Sequence, residues 1–232
     1  MNIFAVDTSA VAASCAFFDG QKIISEFYTN VGLQHSKTLA PMIESALKCT
    51  EMSLSDVDVF AVSKGPGSFT GVRIGISAVK GMAFAENKPC VGVSTLEGLA
   101  YNLETAEGII CPVMDARCNQ VYNALFEFEK GKLKRLCDDR AISVDELQNE
   151  LKNEKKSVFF VGDGAEMCYN TMKDNLQGAV LAPEQVRFQR ASSVAKAALS
   201  AVQRGETLSA GELMPSYLRP PQAVRNLKKN TK

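Results

Sequence analysis

The chain has 232 residues, which is enough for one large or two small domains. Its 26 basic and 26 acidic residues cancel, which argues against a protein that binds nucleic acid by bulk charge alone. No apolar stretch reaches the ~18 residues of a membrane span, and Asp7 interrupts the first apolar run, so we expect neither an export signal nor a membrane helix.

The seven cysteines indicate a reducing compartment. Their number is odd, they are scattered through apolar segments, and no two show the Cys-x-x-Cys spacing. We therefore expect free, buried thiols and a cytoplasmic location, and neither a disulfide framework nor a zinc site.

The N-terminal half is predicted to alternate strands and helices. Three short strands are predicted to open the chain, over residues 2–6, 12–18 and 22–29. The Asp19-Gly20 pair is typical of a hairpin turn between the second and third strands. A helix is predicted over residues 33–49, with Pro41 early enough to bend it rather than end it.

Residues 64–75, with the sequence KGPGSFTGVRIG, form the most informative stretch of the chain. They link a predicted strand over residues 57–63 to a predicted helix over residues 70–86, which is the layout of a phosphate-binding loop. However, neither Gly65 nor Gly67 is followed at the required spacing by Gly-Lys-Ser/Thr, and the dinucleotide-binding pattern also fails. A tight turn without a ligand, capped by Ser68 or Thr70, is at least as good an interpretation as phosphate binding.

The predicted helix over residues 70–86 has an unusually thin polar stripe, made of Arg73, Ser77 and Lys80. An ordinary surface helix exposes a broad polar face. Three glycines also lie in this helix, Gly71, Gly75 and Gly81. Either the helix is enclosed within its own domain, or a partner covers the side that its own sheet does not. We favour the partner, and we therefore expect Gly75→Leu to keep the fold and break partner binding.

The second half repeats the order of the first. After a strand over residues 90–93 and a helix over residues 95–101, we place the joint near residues 102–108. Further strands are predicted over residues 109–114, 120–129, 132–137 and 158–161, and helices over residues 144–151 and 192–204. The predicted domains are residues 1–102 with the partner surface, residues 103–220, and a flexible basic tail over residues 221–232.

Two β-β-β-α-β-α halves in tandem resemble the α/β fold of actin, sugar kinases and Hsp70 (the ASKHA fold, which is ribonuclease H-like), with a degenerate second half. In that fold an aspartate followed by small hydroxyl residues meets phosphate and metal, and Asp7-Thr8-Ser9 stands in that place. The motifs DTSA, QHS, KGPGSFTGVRIG, GVSTLEGLA, MDAR and PSYLR together are similar to those of the bacterial TsaB (YeaZ) family, over nearly the whole chain.

The resemblance implies a supporting role in forming N(6)-threonylcarbamoyladenosine in tRNAs that read codons beginning with A. In that family the catalytic paralogue TsaD transfers the threonylcarbamoyl group, the ATPase TsaE joins the complex, and TsaB binds TsaD through its first-domain helices. TsaB alone commonly forms a homodimer through the same surface. The resemblance also implies that tRNA is contacted only through the complex. It implies no firmly bound cofactor, with ATP or ADP expected only at the interface of the complex.

Candidate site residues follow from the motifs. The expected partner interface comprises His35, Leu39, Ser68, Phe69, Gly71, Val72, Gly75, Ile76 and Val79. Asp7, Thr8 and Ser9 are weak candidates for a nucleotide site, and we prefer a structural role for Asp7. Asp115 and Arg117 are expected to form an ion pair at the interdomain hinge.

An enzyme that acts alone is the alternative, either an ATP-dependent transferase or a metallopeptidase. His35 is the one histidine of the chain, so a two-histidine metal site cannot form within it. The sequence around Asp7-Thr8-Ser9 lacks the glycines that let backbone N–H groups approach a phosphate. We therefore expect no catalytic residue and no metal in this chain.

Overall fold

The computed structural model describes residues 1–32 and 34–219. The predicted tail over residues 221–232 lies outside the described residues. The strands are β1 (Ile3–Asp7), β2 (Ala13–Phe18), β3 (Ile23–Thr29), β4 (Val59–Gly65), β5 (Cys90–Ser94), β6 (Ile109–Asp115), β7 (Gln120–Asn123), β8 (Phe126–Glu129), β9 (Lys132–Arg135), β10 (Arg140–Ser143), β11 (Val158–Val161) and β12 (Ala179–Leu181). The helices are α1 (His35–Thr50), α2 (Phe69–Ala85), α3 (Thr95–Ala100), α4 (Val144–Leu151), α5 (Ala165–Met172), α6 (Glu184–Arg187) and α7 (Ala191–Gln203).

The strands form two sheets with the same topology. The first sheet has the order β3-β2-β1-β4-β5, in which the first three strands are antiparallel and β4 and β5 run parallel to β1. The second sheet repeats this pattern as β10-β7-β6-β11-β12, and a β8–β9 hairpin is added beside β6. The tandem ASKHA fold predicted from the sequence is confirmed.

The helices place the core on both faces of each sheet. The outer faces are covered by α1 and α2 on the first sheet and by α4 and α5 on the second. The inner faces are covered by two helices that are exchanged between the halves: α3 packs on the second sheet, and α7 packs on the first. β1 and β2 are buried along their whole length, since a sheet covered on both faces has no side that meets water.

The exchanged helix α7 corrects the predicted division of the chain. Residues 103–220 were expected to form the second half, but α7 belongs to the core of the first sheet. Its N-terminus is fixed there by Arg190, whose Nη2 lies 2.7 Å from Glu26 Oε2, and by the Ala191 N–H, which donates to Ser14 Oγ at 2.8 Å. These contacts join residues more than 160 positions apart, which no local pattern indicates.

After α7 the chain returns across the first domain as an extended segment, residues 205–219, which we call the strap. Leu208 exchanges two backbone hydrogen bonds with Cys90, of 2.7 and 2.8 Å. Leu213 is buried in the core, and the Ser216 N–H donates to the Lys64 carbonyl at 2.7 Å. The strap therefore ends beside the Gly65-Pro66-Gly67 turn.

The predicted strand over residues 120–129 is divided in the structure. β7 and β8 both pair with β6, but β7 goes on to pair with β10 and β8 with β9. The break is stabilised by the buried amide of Asn123, which donates to the carbonyls of Pro112 and Ala124, each at 3.0 Å, so that backbone groups freed by the break keep partners. The sequence analysis missed β10 and β12, which are short.

Two further expectations are tested by the structure. No helix among the described residues is long and apolar enough to cross a membrane. All the cysteines are free thiols, but Cys49 and Cys118 are exposed, so the expectation of burial is wrong for these two.

Gly75 lies on the buried face of α2, inside the first domain. A Cβ atom at this position would stand 2.5 Å from Thr8 Oγ1 and 3.3 Å from Val62 Cγ2. The small residue therefore lets α2 approach the end of β1 within the same chain. This packing argues against the expectation that Gly75→Leu leaves the fold undisturbed, because the added side chain would meet Thr8 and Val62.

We predict that Gly75→Leu lowers the free energy of unfolding by about 3 kcal/mol, as expected for an overpacked core. Gly81→Ala is the matched control, since Gly81 lies in the same helix and a Cβ there meets nothing within 4 Å. It should raise the free energy of unfolding by about 0.5–1 kcal/mol. Urea unfolding followed by circular dichroism measures both. A Gly75→Leu variant as stable as the unsubstituted protein would contradict the close packing of α2.

Candidate functional site

A cleft of about 520 Å³ opens between the carboxyl ends of the two sheets. In open α/β sheets this edge is where ligands usually bind. The walls come from the turn after β1, the Gly65-Pro66-Gly67 loop, the loop after β6, Asp163 after β11, and the end of the strap. One of the three predicted nucleotide candidates, Ser9, therefore lines the same cleft as the predicted hinge residues Asp115 and Arg117.

The Asp7 carboxylate is buried and is fully used by its own surroundings. Its Oδ1 accepts from the N–H of Ser9 at 2.8 Å and from Ser9 Oγ at 2.7 Å, and its Oδ2 accepts from Ser63 Oγ. Burial raises the pKa of Asp7, and the hydrogen bonds from Ser63 and Ser9 oppose the rise. This geometry supports the structural role that we preferred for Asp7.

The backbone around Asp7 is closed by the loop that begins α2. The Ser68 N–H donates to the Ser9 carbonyl at 2.7 Å, and Thr8 Oγ1 donates to the Gly71 carbonyl at 2.8 Å. Ser68 is the helix cap, as one of the two alternatives predicted, and its Oγ accepts from the Gly71 N–H at 3.2 Å. Three N–H groups at this turn, those of Ser9, Ser68 and Gly71, therefore already have acceptors within the protein.

Asp115 and Arg117 do not form the predicted ion pair. Asp115 Oδ1 instead accepts from the backbone N–H of Arg117 at 2.7 Å, and both side chains are exposed along the cleft. Arg117, Cys118 and Asn119 all have φ between 55° and 63°, which is uncommon for residues other than glycine. The loop is tied to the strap by Arg219, whose Nη1 donates to the Ala116 carbonyl at 2.9 Å.

Asp163 is a cleft residue that the sequence analysis did not single out. Its side chain is accessible from the cleft, yet the surrounding protein removes enough solvent to raise the pKa of its carboxyl to about 6, and the nearby Asp115 adds to this rise. Gln189 Nε2 lies 3.4 Å from Asp163 Oδ1, and this hydrogen bond opposes the rise in the pKa of Asp163. The lining of the cleft thus carries two carboxylates, Asp115 and Asp163, and two arginines, Arg117 and Arg219, so its charges balance.

A second concave surface, which we call the groove, lies between α1 and α2 and measures about 540 Å³. Its apolar lining comprises Leu39, Ala40, Ile43, Phe69, Ile74 and Ala78. His35 borders it at the start of α1, where its Nε2 lies 2.7 Å from the Ala10 carbonyl. Phe69 and Thr70 line both the groove and the cleft, so the two sites share one wall.

The structure divides the nine predicted interface residues into three groups. His35, Leu39 and Phe69 line the groove, and Ser68 lines the cleft. The remaining five lie on the buried face of α2, and they are Gly71, Val72, Gly75, Ile76 and Val79. Because this small and apolar face meets its own sheet, its packing argues against the prediction that these five contact a partner.

The charged residues of α2 bind the strap. Lys80 Nζ donates to the carbonyls of Gly211 and Leu213, each at 3.2 Å. Arg73 Nε donates to Tyr217 Oη at 2.7 Å. Between these residues the outer face of α2 is mostly small or apolar, and at its far end Phe84 is 81% exposed. The sequence analysis found the PSYLR motif but not this role of Tyr217.

The comparisons with known proteins agree with this architecture. A family model described as "TsaD: tRNA N6-adenosine threonylcarbamoyltransferase" matches residues 29–227. The Bacillus subtilis (strain 168) protein named "tRNA threonylcarbamoyladenosine biosynthesis protein TsaB" is 34% identical over 176 residues, which are 76% of this chain and 77% of that protein. The solved structure described as "YeaZ from Pseudomonas aeruginosa" has a TM-score of 0.76 and 27% identity, covering 94% of this chain and 99% of that chain.

The match to the transferase itself is shorter. The Bacillus subtilis protein named "tRNA N6-adenosine threonylcarbamoyltransferase" is 36% identical over 80 residues, which are 34% of this chain and 23% of that protein. The repeated sheets and their shared cleft define a two-domain protein of the ASKHA class. Within that class the chain belongs to the TsaB family of tRNA threonylcarbamoyladenosine biosynthesis proteins.

The raised pKa of Asp163 predicts a pH dependence of stability. Because the folded state holds this proton more tightly than the unfolded chain, the contribution of Asp163 to stability falls as the pH rises from about 4 to about 6. Asp163→Asn removes this loss. Relative to the unsubstituted protein, its free energy of unfolding should therefore increase across that window, by no more than about 1 kcal/mol because solvent in the cleft screens the charge.

Urea unfolding at several pH values between 4 and 7 measures this difference. Asp174→Asn, at an exposed aspartate away from the cleft, controls for the loss of one carboxylate. A difference between Asp163→Asn and the unsubstituted protein that is the same at every pH would contradict the prediction.

Proposed function

We propose that this chain is a non-catalytic scaffold subunit that binds and supports TsaD during the formation of N(6)-threonylcarbamoyladenosine in tRNAs that read codons beginning with A. In this proposal the ATPase TsaE joins the complex, and tRNA is bound by the complex rather than by this chain alone. The balanced charge of the chain supports weak affinity for tRNA in isolation. The work of the complex would take place in the cytoplasm.

The observation that supports a docking role is the groove between α1 and α2. Its lining is apolar along its centre. The two cations of α2, Arg73 and Lys80, each form a hydrogen bond with the strap. An apolar concave face between two helices suits a helix of another protein. TsaD is the occupant that the family membership supports, and in its absence a second copy would bind there as a homodimer.

Nucleotide binding by this chain alone is not part of the proposal. The N–H groups of Ser9, Ser68 and Gly71, around the Asp7 turn and the start of α2, already have acceptors. ATP or ADP at the interface of the assembled complex stays a prediction.

We predict that Ala78→Glu prevents the binding of TsaD, because it places a charge inside the apolar groove, where desolvation is unfavourable. Glutamate favours helix, so α2 should remain folded. Ala141→Glu is the matched control, since Ala141 is exposed on β10 of the other sheet. Light scattering of mixtures with TsaD from the same organism should show a complex for the control and separate proteins for Ala78→Glu. Normal complex formation by a folded Ala78→Glu variant would place the interface elsewhere.

We also predict that the purified protein does not hydrolyse ATP. The reason is the closed backbone at Asp7, whose carboxylate is already occupied by Ser9 and Ser63. Phosphate release is measured with the protein alone and with Asp7→Ala. Hydrolysis that disappears in a folded Asp7→Ala variant would support the alternative of an enzyme acting alone.

A further inference from the structure

The groove contains one permanently charged side chain, Arg73, and its contacts hold the guanidinium in a fixed position. The guanidinium carbon lies 3.8 Å from the centre of the Phe69 ring, and Nε donates to Tyr217 Oη at 2.7 Å. The Phe69 and Tyr217 rings stack with their centres 4.8 Å apart. Arg73 is thus supported on one side by its own helix and on the other by the strap.

Within residues 1–32 and 34–219, the two Nη groups of Arg73 form no ion pair and no hydrogen bond. A guanidinium fork with free terminal donors matches a carboxylate in geometry and charge. Because the side chain is already held by Phe69 and Tyr217, less conformational entropy is lost when such an anion binds.

The described lining of the groove contains no aspartate or glutamate. The one acid of α1 is Glu44, which does not line the groove and is paired with Lys48 at 2.8 Å. An isologous homodimer would bring a second, identical lining against the first, so neither Arg73 would receive a carboxylate from it. The groove therefore favours a partner whose helix supplies an acidic side chain.

We propose that Arg73, positioned by Tyr217, is the residue that makes the groove select an acidic helix of TsaD over a second copy of this chain. The inference rests on the proposed function, in which the groove receives TsaD. Charge complementarity of this kind separates partners that have similar apolar faces. Tyr217 acts as a positioning residue, since it contacts Arg73 rather than the partner's acid.

The test compares Arg73→Gln with Lys37→Gln. Lys37→Gln removes the same charge from α1, but Lys37 lies on the side of that helix that is next to β3, away from the groove. Isothermal titration of the full-length protein with TsaD should give about a tenfold weaker dissociation constant for Arg73→Gln and a change within about twofold for Lys37→Gln. The complex of the unsubstituted protein should weaken with added salt more steeply than that of Arg73→Gln. Homodimer affinity, from sedimentation equilibrium, should not fall in Arg73→Gln.

Tyr217→Phe separates positioning from structure. It keeps the ring that stacks on Phe69 and removes only the acceptor of the Arg73 N–H, so the melting temperature should stay unchanged while TsaD affinity falls by about threefold. Equal weakening of the TsaD complex and the homodimer by Arg73→Gln would overturn the proposal, because it would indicate a general loss of groove shape. Unchanged TsaD affinity in Arg73→Gln would overturn it as well.

The outcomes also distinguish this inference from the proposed function. If Ala78→Glu prevents TsaD binding while Arg73→Gln leaves the affinity unchanged, the groove is the docking site and the selection by Arg73 is wrong. If both folded variants bind TsaD normally, the docking site itself is wrong.

Discussion

The approach of α2 to the turn after β1 is the constraint on which both concave sites depend. A Cβ atom at Gly71 would stand 2.1 Å from the Thr8 carbonyl oxygen, a distance that no side chain permits. This approach lets Thr8 and Ser9 bond the first turn of α2, which closes the place where a related fold would receive phosphate. It also places Phe69 at the boundary between the cleft and the groove. The same contact thus shapes both the cleft and the groove that we assign to a partner.

The exchange of α3 and α7 determines how the two halves form one protein. Each helix is buried in the core of the sheet that it does not follow in sequence, and Tyr101 and Phe128 meet edge to face between the two halves, with ring centres 5.6 Å apart. Beyond α7, the strap adds the bonds to Cys90 and Lys64. Residues 191–219 therefore stabilise the N-terminal domain, and the position of Tyr217 beside Arg73 is a consequence of that return.

Most of the fold follows from local patterns, and what the sequence does not reveal is long-range. The tandem order of elements and the Ser68 cap were predictable because hydrophobic period, glycine turns and capping residues act within a few positions. The spacing of Gly71 and Gly75 correctly indicated a close backbone approach. The surface that packs against these glycines is the sheet of the same chain, not a partner. The sequence of a helix carries no local signal that distinguishes the two. Arg73 with Tyr217, and Arg190 with Glu26, depend on contacts across 144 and 164 positions, and the predicted Asp115–Arg117 pair failed because the loop uses its backbone instead.

The charges of the first domain show why a surface, rather than a catalytic centre, is the functional element that this geometry supports. Asp7 is enclosed by hydroxyl and backbone donors, and Lys80 is bonded to two strap carbonyls. These groups are used in contacts that stabilise the fold. Arg73 differs, because among the described residues only its Nε has a hydrogen-bond partner, and its side chain lines the groove. A single oriented cation in an apolar groove is sufficient to favour one protein surface over another.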